Sequence, residues 1–294
     1  MPDTQLVVAE APLQKLVSPF LEKYAISLYI KRLDLIHPTV KGNKWYKLKY
    51  NLAEAVRQGK DTIETFGGAY SNHLYATAAA CNLLGFKAIG KLRGEQSLPL
   101  NPVLSFVVSQ GMQLIYLDRN TYRIASKHQN LPQILAPHLQ NQNAATNIYS
   151  IPEGGSNLFA VQGCQEIAAG LKNFDVVCCA CGTGCTLAGI SAGLPSKVQK
   201  IGFAVLKGGE FLYQDIQKLT TATENLQIMT NYHAGGYAKK TPELLKFIAD
   251  FETTYNIPLE YVYTGKLFYG LFDLIQQNFF ERNTKIVAIH TGGV

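Results

Sequence analysis

The chain has no run of about 18 or more apolar residues, so no segment is expected to span a membrane. Its opening residues, MPDTQLVVAEAP, lack a basic stretch followed by an apolar one, so no signal peptide is expected. There is no internal repeat and no low-complexity tract. A concentrated basic stripe is also missing. The basic residues are scattered, with only pairs such as Lys31–Arg32 and Lys239–Lys240 together, which argues against nucleic acid as a partner. A net charge of +6 suits an anionic ligand without naming one.

The six cysteines, Cys81, Cys164, Cys178, Cys179, Cys181 and Cys185, lack metal-ligand spacing. Four of them fall within eight residues, but Cys178 and Cys179 are adjacent in an apolar run, and on a strand they would face opposite sides. No second Cys or His pair stands at zinc-finger distance. No metal is expected. The cysteines read instead as small buried hydrophobes of a protein kept in a reducing cytoplasm.

What is present is an ordinary globular composition, 47% hydrophobic and 16% charged over 294 residues, which argues against disorder and allows one large domain or two smaller ones. Residues 26–35 alternate as a strand, and His37-Pro38-Thr39 breaks it. A helix with Leu48, Leu52 and Val56 on one face follows Gly42-Asn43-Lys44 and stops near Gly59. Strands and helices then alternate. Strands are expected over 62–66, 87–92, 112–117, 147–151, 175–180, 200–206, 226–230 and 285–289. Helices are expected from Ser71 or Asn72 to Leu84, and over 102–110, 158–171, 186–194, 210–219, 242–255 and 266–277. Residues 120–146, rich in Asn and Gln, resist assignment. The alternation implies an α/β protein with two open, twisted, mostly parallel sheets. Ligands of such folds sit at the carboxyl ends of strands, and the Gly-rich turns all read as following strands, so they could line one crevice.

Three Gly-rich turns carry chemistry. In CGTGCT (181–186) a buried strand enters a turn with Gly182 and Gly184, and a helix leaves it. Glycines let successive N–H groups converge, and the helix N-terminus adds its positive dipole, which makes an anion cradle suited to phosphate. Thr183 and Thr186 add hydroxyls. The alternative is a tight turn with nothing bound. No Lys-Ser/Thr follows as in a Walker motif, and the third glycine of a dinucleotide fingerprint is missing. In GGAYSNH (67–73), Ser71, Asn72 and His73 begin a helix, where free N–H groups can bind a carboxylate; the alternative is that Ser71 is only an N-cap. The third turn is VYTGK (262–266). Beside these, Lys44 gains meaning, since a lysine amine forms a Schiff base with an aldehyde such as that of pyridoxal phosphate.

Together GNKWYKLKYNL, GGAYSNH, CGTGCT, GGYAKKTPELL, VYTGKLFYGL and the terminal HTGG resemble the family of 1-aminocyclopropane-1-carboxylate deaminases and D-cysteine desulfhydrases, pyridoxal-phosphate enzymes with the tryptophan-synthase-β-like fold. The resemblance runs from about residue 8 to the end. It implies a larger cofactor-binding domain over 1–47 and 155–294, a smaller α/β domain over 48–154, and a homodimer. It implies that Lys44 carries the cofactor, that Ser71 lies near the substrate carboxylate as a nucleophile or acid–base group, and that Asn72 meets the cofactor's ring hydroxyl. His73 stands where the deaminases often have glutamine. Gly182, Thr183, Gly184, Cys185 and Thr186 correspond to the phosphate loop, and Tyr237 and Tyr263 to two tyrosines on the substrate side; either tyrosine could instead be ordinary packing. Thr264 falls where the deaminases set a glutamate against the pyridine nitrogen. His290 and Thr291 could approach the ring.

A threonine cannot hold the ring nitrogen protonated as a carboxylate does, so the ring withdraws less charge. That favours β-elimination from D-cysteine, giving pyruvate, ammonia and sulfide, over opening an unactivated cyclopropane. The cyclopropane deaminase, yielding 2-oxobutanoate and ammonia, is the alternative. A phosphate-ligand-binding protein without catalysis, or a family member that binds without turnover, are the further readings.

Overall fold

The computed structural model describes residues 6–40, 42–127 and 147–293. Along them run β1 (Leu13–Lys15), α1 (Pro19–Tyr24) and β2 (Ser27–Arg32), then α2 (Asn43–Arg57), β3 (Thr62–Gly67), α3 (Asn72–Leu84), β4 (Lys87–Arg93), α4 (Pro102–Ser109), β5 (Met112–Leu117) and α5 (Arg119–Lys127). After them come β6 (Ile148–Ile151), α6 (Leu158–Gln165), β7 (Val176–Cys181), α7 (Cys185–Gly193), β8 (Gln199–Ala204), α8 (Leu212–Gln217), β9 (Leu226–Met229), α9 (Pro242–Tyr255), α10 (Thr264–Gln276) and β10 (Lys285–His290). Of the stretch that resisted assignment, residues 128–146 lie outside the described residues.

Where the elements differ from expectation, a side chain gives the reason. The strand expected over 26–35 stops at Arg32, whose guanidinium grips the Asp34 carboxylate (Nε to Oδ1 2.9 Å, Nη2 to Oδ2 2.7 Å) while Leu33–Leu35 wind into a 3-10 turn. The turn VYTGK does not follow a strand, because α9 lies between it and β9; it opens α10 directly.

The described chain divides into two compact units, one of residues 6–8, 38–40, 44–127 and 147–160, the other of 9–37, 42–43 and 161–293. The first holds a parallel sheet in the order β5-β4-β3-β6. Strand β3 is buried along nearly its whole length, as a parallel strand covered on both faces must be. Helix α3 owes its closeness to the sheet to small residues, with Ala76, Ala78, Ala79 and Ala80 all buried. It begins at Ser71, whose Oγ accepts the Leu74 N–H (3.2 Å), and ends at Gly85 in the left-handed region.

The second unit holds the order β1-β2-β10-β7-β8-β9, parallel except for β1 against β2. One face of this sheet buries Leu28, Ile30, Val176, Cys178, Ile201, Phe203, Ile286 and Ala288 against Leu244, Ile248 and Phe251 of α9 and Leu267, Phe268 and Leu271 of α10. Cys178 joins that core, and its neighbour Cys179 turns to the other face of β7. All six cysteines are buried thiols. No helix among the described residues is long and apolar enough to cross a membrane.

Candidate active site

In the second unit the glycine turn after β7 has the form of a cradle. Gly184 is left-handed (φ 74), and a Cβ there would stand 2.6 Å from Ile216 Cγ1, so only glycine fits. It is the N-cap of α7 and, having no side chain, makes no side-chain cap. A Cβ on Gly182 would lie 3.2 Å from Tyr263 Cε1, which shows how closely that ring approaches the loop. Thr186 and Cys185 are buried at the start of α7, and Thr186 Oγ1 accepts the Asn43 side-chain amide at 2.8 Å. The Thr186 hydroxyl, accepting there, still has its own proton to donate.

That hydrogen bond ties the cradle to the segment before Lys44. Gly42 has φ +70, and a Cβ there would fall 1.9 Å from the Thr291 carbonyl oxygen, so the backbone approach excludes any side chain. Gly42 N–H donates to Leu33 O (2.8 Å) and Asn43 N–H to Thr291 O (3.2 Å). Gly42 and Asn43 are thus fixed to three separate parts of the unit, and Lys44 is the next residue along the chain. Lys44 itself is half-buried at the second position of α2.

In the first unit, Ser71 and Asn72 are half-exposed at the start of α3, while His73 is turned into the core at 2% exposure. Its Nε2 stands 2.9 Å from Thr65 Oγ1, and Thr65 Oγ1 stands 2.9 Å from the Ile151 carbonyl. The carbonyl can only accept, so the threonine proton goes to it and His73 Nε2–H must donate to Thr65. His73 is therefore the neutral Nε2–H tautomer. Burial drives its pKa well below 6.5, and the charges of Lys44 and Lys47 add to that effect. Lys47 is itself buried and donates to the Gly154 carbonyl (2.9 Å). The ring expected on the substrate side is thus packed inward, against Gly155, where a Cβ would lie 3.0 Å from its Cε1.

Tyr237 and Tyr263, both in the second unit, do come together. Their hydroxyls are 3.2 Å apart and the rings meet edge to face, with centroids 6.0 Å apart at 77°. Thr264 is a different case. It is fully buried, and its hydroxyl accepts the Glu260 N–H (3.0 Å) while lying 3.3 Å from Glu260 O and 3.2 Å from Glu260 Oε1. The hydroxyl expected at a ring nitrogen is already committed within its own turn. Glu260 has a structural role: its carboxylate accepts the N–H groups of Val262 (2.6 Å), Tyr263 (2.8 Å) and Thr264 (2.7 Å), capping α10. His290 lies between Asp34 Oδ1 (3.1 Å from Nδ1) and Pro258 O (2.8 Å from Nε2) and anchors the terminal turn rather than facing outward.

Thr65, Glu260 and Lys266 were not singled out from the sequence. Lys266 lies in the same VYTGK motif as Thr264, and no local pattern marks Thr65 or Glu260.

Comparison with known proteins follows the same lines. A family model described as "Pyridoxal-phosphate dependent enzyme" matches residues 5–292. A putative 1-aminocyclopropane-1-carboxylate deaminase of Pyrococcus furiosus is 33% identical over 100% of this chain and 92% of its own. A D-cysteine desulfhydrase of Salmonella typhi is 32% identical over 99% of this chain and 94% of its own. The crystal structure of an ACC deaminase homologue superposes with a TM-score of 0.82 at 30% identity, covering 100% of this chain and 92% of that one.

Proposed function

Because this chain belongs to the pyridoxal-phosphate-dependent enzymes, within the family of 1-aminocyclopropane-1-carboxylate deaminases and D-cysteine desulfhydrases, we propose that it eliminates the β-substituent of a small amino acid, D-cysteine foremost. Loss of hydrogen sulfide from D-cysteine leaves an enamine, and water hydrolyses its imine tautomer to pyruvate and ammonia.

The residues suit the cofactor. The glycine turn at 182–184 and the start of α7 would hold its phosphate, with Thr186 adding a hydroxyl. Lys44 would supply the amine that holds its aldehyde, and Asn72 would meet its ring hydroxyl. Once bound, pyridoxal phosphate supplies an electron sink for the carbanion left at Cα. The first N–H groups of α3, with Ser71, hold the substrate carboxylate. Lys44 Nζ would take the α-proton. Tyr237 and Tyr263 orient the substrate, and their 3.2 Å contact lets a proton pass between them.

One observation carries D-cysteine ahead of the cyclopropane. By the resemblance set out above, the deaminases place a glutamate where this chain has Thr264. Here the nearby Glu260 carboxylate accepts three backbone N–H groups of its own turn, a capping role. A ring nitrogen without a carboxylate stays neutral and withdraws less charge. Prompt departure of sulfur tolerates that better than opening a three-membered ring.

The test is sulfide and pyruvate release from D-cysteine, with L-cysteine and Lys44→Ala as controls. Equimolar products from D-cysteine are expected, with a loss of about a thousandfold in Lys44→Ala, at the scale of removing a positioned proton acceptor. A colourless wild type that cannot be reconstituted with pyridoxal phosphate, or an undiminished Lys44→Ala, contradicts the reading.

A further inference from the structure

Lys266, in the first turn of α10, is fully buried. Its ammonium donates to Val205 O (3.0 Å), just past β8, and to Gly236 O (2.7 Å), in the loop after β9. Burial pulls its pKa down to about 8, against the opposing charge of Glu260. An apolar side chain of similar volume would fill this place without burying a charge. What the ammonium provides is its grip on the loop.

That loop is strained. Ala234, Gly235, Gly236 and Ala238 have φ of 51, 90, 132 and 55, so two alanines sit in the left-handed region that favours glycine. Such backbone persists only where its surroundings fix it. The fixing point is Gly236. Its carbonyl takes both Lys266 Nζ and the Lys239 N–H (3.1 Å), and its N–H donates to His233 O (3.0 Å). The next residue is Tyr237, 49% exposed, whose ring meets that of Tyr263 edge to face. Its hydroxyl stands 3.2 Å from that of Tyr263, three residues before Lys266. The start of α10 therefore places Tyr263 directly and Tyr237 through Lys266.

We propose that Lys266 is a positioning residue: by holding the Gly236 carbonyl it sets the strained 234–238 loop so that the Tyr237 hydroxyl stays against that of Tyr263. This rests on the reading of the two tyrosines as substrate-side residues.

The test uses the holoenzyme and whichever amino acid gives the highest kcat/KM. Lys266→Met is the first variant. Lys266→Gln, which keeps two N–H donors on a shorter stem, replaces it if the Met variant does not fold. Amides of Gly236 and Lys239 are expected to exchange about tenfold faster or more as the loop opens. Bound cofactor, read by its absorbance, stays at the wild-type level, and kcat/KM falls about tenfold, the scale of a misplaced substrate-side group. The loss should not multiply with that of Tyr237→Phe: the double variant stays within about twofold of Tyr237→Phe alone. Losses that multiply, or amide exchange that does not change, overturn the proposal. Full activity in Tyr237→Phe contradicts the underlying reading of the tyrosines and the catalytic half of this proposal with it, while the exchange data judge the loop strut separately.

Discussion

His73 shows how one hydroxyl proton fixes the state of a neighbour. Thr65 gives its proton to Ile151 O, so His73 must donate to Thr65 and stay neutral. A group whose pKa is lowered on folding favours the fold above its unfolded value, and that stability is lost as pH falls below it. The unfolded value is near 6.5, so wild type should lose of order 1 kcal/mol more than His73→Gln between pH 7.5 and 5.5, read by urea unfolding. Equal losses in both proteins contradict the buried neutral state. The motif around His73 was legible as a helix start, but the direction of its ring was not. That direction depends on Thr65, on a different strand, and no local pattern reports it. Thr264 is the same kind of case: its place in the motif was readable, and its commitment to Glu260 was not.

Among the elements, capped helices were the most legible. The left-handed Gly85 closes α3, and Thr241 with Pro242 opens α9. The short β1 and α1, three and six residues long, carry too little periodicity to stand out. Helix α10 begins two residues before the expected Lys266 because a glutamate from the preceding turn caps its first N–H groups. Two outcomes belong at this scale. Gly184→Ala forces a left-handed alanine against Ile216 and should cost about 1–3 kcal/mol. It should also lower retention of pyridoxal phosphate through dialysis, because the cradle leading into α7 shifts. Retention equal to wild type contradicts the role given to that turn. Ser71→Ala removes the α3 cap and should cost about 1 kcal/mol in unfolding, whereas Ser71→Asn keeps a cap and should not. If Ser71 has chemistry beyond capping, both variants lose turnover; full activity in Ser71→Asn reduces it to a cap.

For the whole molecule, the alternation of strands and helices was enough to read two mostly parallel sheets, since each parallel connection needs a crossover and a helix provides it. What stayed hidden were the links between distant parts of the chain, such as Asn43 to Thr186, 143 residues apart. That link joins the segment GNK to the turn CGTGCT. Pattern along the chain reports local structure and burial; pairing at that distance is set by the folded topology alone. The choice of substrate lies at this scale too, because it depends on which groups of the assembled protein surround the cofactor's nitrogen.

The most direct measurement is a side-by-side keto-acid assay, with pyruvate from D-cysteine and 2-oxobutanoate from 1-aminocyclopropane-1-carboxylate, each reported as kcat/KM on the same yellow holoenzyme. On the proposed placement of Thr264, rather than a carboxylate, at the pyridine nitrogen, D-cysteine should be the better substrate by at least about tenfold, a difference of roughly 1.4 kcal/mol in barrier. A higher kcat/KM for the cyclopropane amino acid contradicts the account.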